Sequence, residues 1–226
     1  MRNKVILSWS GGKDSALALY KLMNNPEYEI VGLLTITFNH KDNQDYVAMH
    51  MIHIDLIKQQ ALKLGIELFI IEYEDNVSYE CKMRDFLTWC VSQNVKNIAF
   101  GDIHLIDLRK KREEKLKQLG INAVFPLWGI SGTCIIHQFF SFGFKGIIVN
   151  VDTDFMNIEM LGTDLNIGIL EQNVKMDPCG ELGEYHTLVY DGPIFTSQIN
   201  YTLQKIISLD QGNRFFSIAS IAKKIN

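Results

Sequence analysis

The first half of the chain alternates apolar strands with helical stretches, and that alternation leaves few folds open. "KVILSW" (Lys4–Trp9) is a short apolar run, the mark of a buried strand. "KDSALALYKLM" then sets Ala16, Leu17, Leu19, Tyr20 and Met23 at helical spacing. "EIVGLLTITF" (Glu29–Phe38) is rich in β-branched residues and reads as a second strand. "AMHMIHIDLIKQQALKLG" reads as one helix closed by Gly65 at its C-terminus. The strands "IELFIIEY", "KNIAFGDI" and "NAVFPLW" follow, separated by the helices "SYECKMRDFLTWCVSQNV" and "DLRKKREEKLKQLG". This order predicts an α/β fold with a five-stranded parallel sheet and helices on both faces.

The pattern loosens after Trp128. "SGTCIIHQFFSFG" predicts a helix and "FKGIIVNVD" a sixth strand, whereas residues 152–173 carry little periodicity. "CGELGEYHTLVYDGP" reads as a turn-rich loop feeding a strand. A boundary near Leu127–Ser131 divides the chain into residues 1–128 and a smaller α+β domain, residues 129–226.

Composition narrows the function classes. The chain has 226 residues, of which 47% are hydrophobic and 21% charged, with a net charge of −4. That balance suits a globular protein and offers no general attraction to nucleic acid or to anionic membranes. Four cysteines (Cys81, Cys90, Cys134 and Cys179) form no CxxC pair, as expected of reduced thiols. The N-terminus lacks the pattern of a signal peptide, and no stretch reaches the length of a membrane span. The expected location is the cytoplasm.

The turn between the first strand and the first helix carries the chemistry. A Walker loop needs GxxxxGK[ST]. Here the position five before either glycine is Ile6 or Leu7, and Asp14 follows Lys13, so the Walker pattern fails twice. The turn still lies at the carboxyl end of a parallel strand, where ligands bind in open sheets. A helix N-terminus there offers unpaired N–H groups and a partial positive charge. Ser10 and Ser15 add hydroxyls, Lys13 a cation, and Gly11 and Gly12 open the backbone to a phosphate. Asp14 suits a ligand of Mg²⁺ carried by a polyphosphate.

"SGGKDS" (Ser10–Ser15) resembles, at every position, the pyrophosphate loop of the N-type ATP pyrophosphatases. The resemblance implies an adenine-nucleotide alpha-hydrolase-like sheet, ATP and Mg²⁺ as cofactors, and cleavage between the α- and β-phosphates. A substrate oxygen would attack the α-phosphate, and the adenylated product would yield to a nitrogen or sulfur nucleophile. Lys13 and Asp14 would be catalytic. A thiolating enzyme usually needs paired or persulfide cysteines, and a glutamine amidotransferase needs an ammonia-generating domain. Neither is expected of this chain, so free ammonia, or no ammonia at all, is the remaining option.

A second stretch makes the resemblance more specific. "DPCGELGEYHTLVYDGPIF" (Asp177–Phe195) sets Glu181 and Glu184 three apart in a glycine-broken loop, with His186 and Thr187 behind them. Acidic residues there could receive a cationic substrate or a proton from ammonium, and a histidine suits proton transfer. Together, "SGGKDS", "GDI…DLRKKREE" and "GELGEYHTLVYDGP" look like the diphthine–ammonia ligase family, over nearly the whole stretch from Val5 to Phe195. The family amidates diphthine on translation elongation factor 2.

By that resemblance Gly101 and Asp102 lie beside the nucleotide. Gly180, Glu181, Gly183, Glu184 and Thr187 belong to the second signature, with Glu181, Glu184 and His186 handling the acceptor or ammonia. Arg109, Arg112 and Glu114 correspond more loosely to a basic–acidic helix start. Members from diphthamide-making organisms read closer to "GEYES", and "EYHT" resembles a bacterial branch, for which the acceptor would be another carboxylate. The chain also lacks the C-terminal extension of eukaryotic members.

The remaining features have plainer readings. Arg109–Glu113 and Lys110–Glu114 are one helical turn apart and suit solvated ion pairs. The alternative sends Arg109 or Arg112 to a phosphate or carboxylate. His50 and His53 share one predicted helix as surface or nucleotide-edge groups. "HQFFSFGF" (His137–Phe144) is expected to fill a core, or else to form a homodimer contact. Two rival functions stay open: a sulfur-inserting nucleobase enzyme using Cys179, and a non-catalytic ATP or AMP sensor.

Overall fold

In the computed structural model, which describes residues 2–39, 45–48, 50–172, 176–208 and 214–221, strand β1 (Asn3–Ser8) is buried on both faces. Val5 and Leu7 enter one apolar cluster and Ile6 the opposite one. A strand covered on both sides carries the continuous apolar run of a parallel sheet. Strands β2 (Tyr28–Asn39), β3 (Asp45–Val47), β4 (Leu68–Tyr73), β5 (Asn97–Ala99) and β6 (Asn122–Val124) complete the sheet. Its parallel part runs β4-β2-β1-β5-β6, the five expected strands. Strand β3 is an unforeseen addition, antiparallel to the end of β2.

The helices cover both faces. Helix α1 (Lys13–Met23), α2 (Ile54–Leu64) and α5 (Gly132–Ser141) contribute Leu17, Ile57 and Phe139 to the first cluster. Helix α3 (Asn76–Ser92) and α4 (Ile106–Lys117) place Met83, Leu87 and Leu116 against the other face. The chain winds outward from β1 to β2 and β4, then returns to β5 on the other side. That reversal opens a crevice at the carboxyl ends of β1 and β5, where ligands of such sheets bind.

The expected helix from Ala48 to Gly65 begins only at Ile54. Val47 pairs back to Ile52, and Met51 takes a positive φ of 54°, so the chain turns before the helix starts. His53 becomes the N-cap, its Nδ1 accepting from the Asp55 amide at 3.2 Å. His50 lies before the helix, so the two histidines do not share a helical face.

Beyond α5, strands β7 (Lys145–Asp152), β8 (Tyr185–Asp191), β9 (Tyr201–Ser208) and β10 (Arg214–Ile221) form an antiparallel sheet ordered β8-β7-β10-β9. The sequence reading assigned no strand to β9 or β10. The weakly patterned residues 152–173 hold a 3-10 turn (Ile158–Met160) and the short helix α6 (Ile167–Gln172), and Asn173 lies outside the described residues. Phe139 and Phe144 of the aromatic run are buried and stacked, 5.2 Å between ring centroids. Among the described residues, no helix is long and apolar enough to cross a membrane.

The two sheets meet at the turn after β1. Gly11 accepts the Val189 amide of β8 at 2.9 Å. Gln60, fully buried on α2, accepts from Trp9 Nε1 at 2.9 Å and donates to the carbonyls of Gly11 at 3.1 Å and Val189 at 2.7 Å. Replacing Gln60 by Leu would strip a partner from the Trp9 indole and the Val189 carbonyl, while the Gly11 carbonyl keeps the Val189 amide. The expected loss is about 2–4 kcal/mol of stability, at roughly 1–3 kcal/mol per group partly offset by the apolar side chain. Urea denaturation measures it; a change below about 1 kcal/mol would show that these groups find other partners.

Candidate functional site

The turn after β1 is short because two glycines make it so. Gly11 has φ +80°, and a Cβ on it would come within 2.5 Å of Ile57 Cδ1. A Cβ on Gly12 would sit 3.0 Å from the Thr187 carbonyl oxygen. Strand β8 therefore lies directly against the loop backbone. Ser10 Oγ accepts the Gly12 amide at 3.3 Å and sits 3.3 Å from Ser15 Oγ, which donates to the Gly12 carbonyl at 2.9 Å. Thr187 Oγ1 accepts the Lys13 amide at 3.0 Å, so β8 supplies a cap for α1.

Lys13 is only 3% exposed. Its Nζ donates to Asp14 Oδ2 at 2.8 Å and to the Cys179 carbonyl, and it lies 5.0 Å from the centre of the Tyr185 ring. Burial alone would lower its pKa, but Asp14 and the electron-rich groups around it reverse that and hold the ammonium charged. Asp14 is pushed above the usual carboxylate range by burial, against the pull of Lys13. Its Oδ1 is buried and has no hydrogen-bond partner among the described residues.

The second signature folds into a tight loop ahead of β8. Gly180 has φ +64°, and a Cβ there would strike the Tyr185 ring at 2.7 Å. Glu184 is buried, and its two oxygens accept the Asp177 amide at 3.1 Å and the Leu182 amide at 3.0 Å. Both of its oxygens are thus engaged in fixing the loop. Gly183 donates to the Gly180 carbonyl within the same loop and lies against the Arg214 guanidinium. Glu181 Oε1 accepts the Ile103 amide at 2.8 Å and faces the crevice; burial raises its pKa, opposed by that amide.

A cavity of about 280 Å³ opens at the crevice. Ser10, Asp14 and Ser15 of the first loop line it, with Gly101, Asp102 and Arg112 on one side and Gly180, Glu181 and His186 on the other. Gly101 is required here, since a Cβ would press on the Asp14 backbone at 3.1 Å. Arg112 pairs with Asp102 at 2.7 Å and lies 4.0 Å over Phe100. Burial raises the Asp102 pKa and Arg112 opposes it. Arg109 is engaged elsewhere, by Glu113 at 2.7 Å and by the rings of Phe125 and Trp128. A narrower, mostly apolar cavity of about 180 Å³ adjoins, sharing Ser8, Phe100 and Arg112 and reaching Leu34, Ile36 and Ile98.

The His186 and His50 rings lie 4.3 Å apart between centroids, tilted by 35°, and both line the larger cavity. His186 Nε2 and His50 Nδ1 are buried and lack partners among the described residues. Burial and then Lys13 push His50 down to about 4. Burial, His50, Lys13 and Arg214 push His186 well below the usual imidazole range. Cys179 is buried, its Sγ donating to the Gly132 carbonyl at 3.3 Å, and burial raises its thiol far above the usual range.

Two contributors escaped the sequence reading. Gln60 falls on the buried stripe of α2 with Ile57 and Ala61, so an amide at an apolar position was the available signal. Asp177, whose Oδ1 accepts the Cys179 amide at 2.9 Å and whose Oδ2 lies 3.6 Å from His104, carried no local pattern.

Residues 3–123 match the family model of the diphthamide synthase N-terminal domain, and residues 132–223 that of the diphthamide synthase C-terminal domain. A diphthine–ammonia ligase of Schizosaccharomyces pombe is 24% identical over 92% of this chain and 38% of its own length. The tRNA-specific 2-thiouridylases of Proteus mirabilis and Pseudoalteromonas translucida are 39% and 41% identical, over 34% and 33% of this chain and 21% of theirs. The chain thus spans well under half the length of these curated relatives.

The histidine pair makes stability depend on pH. Unfolded, His50 takes a proton near the ordinary value of 6.5; folded, only at about 4. Its contribution is therefore complete above pH 6.5 and is lost as pH falls through 6.5 towards 4. The loss is up to about 3 kcal/mol, at roughly 1.4 kcal/mol per pKa unit. In thermal melts across that window the His50→Gln variant is expected to lose less stability than the unmodified chain. Parallel curves would contradict the depressed value.

Proposed function

Because the chain belongs to the diphthamide synthase family, we propose that it is an ATP-dependent, AMP-forming carbon–nitrogen ligase. It adenylates a substrate carboxylate, releases pyrophosphate and passes the acyl group to ammonia. The observation that carries this reading is the cavity joining the Ser10–Ser15 loop to Asp102, Glu181 and His186. One wall holds phosphate-binding groups, and the facing wall holds groups for an acceptor and an amine.

The roles follow from the geometry. The loop backbone, Ser10 and Ser15 hold the β- and γ-phosphates, and Lys13 supplies a fixed positive charge beneath them. The adjoining apolar cavity between Leu34, Ile36 and Phe100 fits the adenine ring. Asp14 fits Mg²⁺, because its Oδ1 is buried without a partner among the described residues. An ion that travels on ATP phosphates needs only one or two protein carboxylates. When bound, such an ion neutralises charge on the phosphates. Arg112 orients Asp102 at the cavity wall. Glu181 faces the amine, while Glu184 holds the loop that presents it.

In this reading residues 1–128 bind the nucleotide and residues 129–226 complete the acceptor side. The acceptor is a carboxylate, either diphthine on an elongation factor or, for the "EYHT" branch, a different one. Sulfur transfer, the activity named for the 2-thiouridylases, is less well supported. It needs a reactive thiol, and Cys179 is sealed and resists ionisation.

The test follows ATP labelled at the α-phosphate, with Mg²⁺, ammonium and diphthine-bearing elongation factor 2 or other carboxylates in turn. Label is expected in AMP, with pyrophosphate released. Asp14→Ala is expected to reduce this by about 100-fold or more with the fold retained, and Cys179→Ser to leave it nearly unchanged. ADP with phosphate would overturn the reaction class. Loss of turnover in Cys179→Ser would restore the sulfur-inserting alternative. Nucleotide binding without turnover would favour a sensor.

A further inference from the structure

The paired rings of His50 and His186 carry two buried nitrogens without partners among the described residues. Buried polar atoms left unpaired cost stability and usually mark a ligand not yet present. Both rings line the cavity that also receives Ser10 and Ser15. His186 shares that cavity with Asp14 and Ser15 of the first turn of α1, so its ring faces the anion-attracting end of that helix. We propose that His50 and His186 form a one-proton site coupled to anion binding: a polyphosphate entering the cavity draws one proton from solvent onto the pair.

The proposal rests on the phosphate reading of this cavity and adds to it. Two rings 4.3 Å apart cannot both become imidazolium at low cost, so the pair accepts one proton. Without a ligand burial opposes even that one, and the neighbouring cations add to it. Lys13 on α1 acts on both rings, and Arg214 on β10 acts on His186. Asp14, Asp102, Glu181 and Arg112 share the cavity. A polyphosphate brings several negative charges to the same space and reverses the balance. The covalent bookkeeping is simple: the proton moves from solvent to an imidazole lone pair, and no bond of the ligand is made or broken.

The full chain is titrated calorimetrically with inorganic pyrophosphate near pH 6.5, in two buffers of different ionisation heat. The unmodified chain is expected to take up about one proton more than the His50→Gln/His186→Gln double variant, and to lose affinity up to about tenfold more steeply per pH unit. The difference between the two proteins cancels the ionisation of pyrophosphate itself. Equal uptake with binding intact would overturn this inference and leave the phosphate reading standing. No binding to the unmodified chain would overturn both. Should the double variant fail to fold, ring ¹⁵N resonances of the unmodified chain decide the matter. An imidazolium signature on adding pyrophosphate supports the proposal. Neutral rings with pyrophosphate bound, or a response to ammonium alone, would refute it.

Discussion

The rest of the site depends on the clasp between the turn after β1 and strand β8. The Gly11 carbonyl accepts the Val189 amide, Thr187 Oγ1 accepts the Lys13 amide, and the Gln60 side chain ties Gly11 to Val189 and to Trp9. One is a backbone–backbone bond, and two others hold the loop backbone through buried side chains. They also join two sheets whose strands come from opposite ends of the sequence. The consequence is functional: the wall carrying His186 cannot move away from the phosphate-type loop without breaking buried hydrogen bonds.

The clasp also explains how a lysine comes to be buried. Lys13 lies at the first turn of α1 with Asp14, the Cys179 carbonyl and the Tyr185 ring around it. A buried cation without such partners would lose its charge or destabilise the fold. Tyr185 and Cys179 belong to the second signature, so the loop that Glu184 locks is also the counter-charge cage of Lys13. The two signatures are one electrostatic unit, separated in sequence because the rest of the first sheet and β7 are built between them.

The parallel sheet was legible because Val5, Ile6 and Leu7 are apolar without interruption, a pattern only double-sided burial requires. The loop was legible because Gly11 and Gly12 stand between a strand and a helix with Asp14 behind them. What the sequence concealed was set by long-range pairing. Strand β3 exists because β2 outruns β1 and leaves an edge for it. Strands β9 and β10 pair with each other, and β10 with β7, and "YTLQKIIS" or "RFFSIASI" alone gives no partner. His50 read as a helical residue, and only the turn at Met51 carries it to His186. Arg109 and Arg112 are three apart in sequence, but the aromatic faces of Trp128 and Phe100 send them to different tasks.

The cavity's own charges favour one form of ligand over another. Asp14, Asp102 and Glu181 share it, each raised first by burial, and the charge on Asp14 raises both of the others further. A bare polyphosphate adds its charge to this set and is held less tightly for it. An anion that arrives with a cation reverses the sign of that interaction, since the cation satisfies the partnerless Asp14 oxygen while the phosphates face Ser10, Ser15 and the start of α1. A Walker loop needs no such acid, because a hydroxyl on its helix suffices to reach the ion. With an acid in that place, Lys13 is drawn into an ion pair below the loop, and the task of meeting the anion's remaining charge falls to the backbone, the hydroxyls and the two imidazoles.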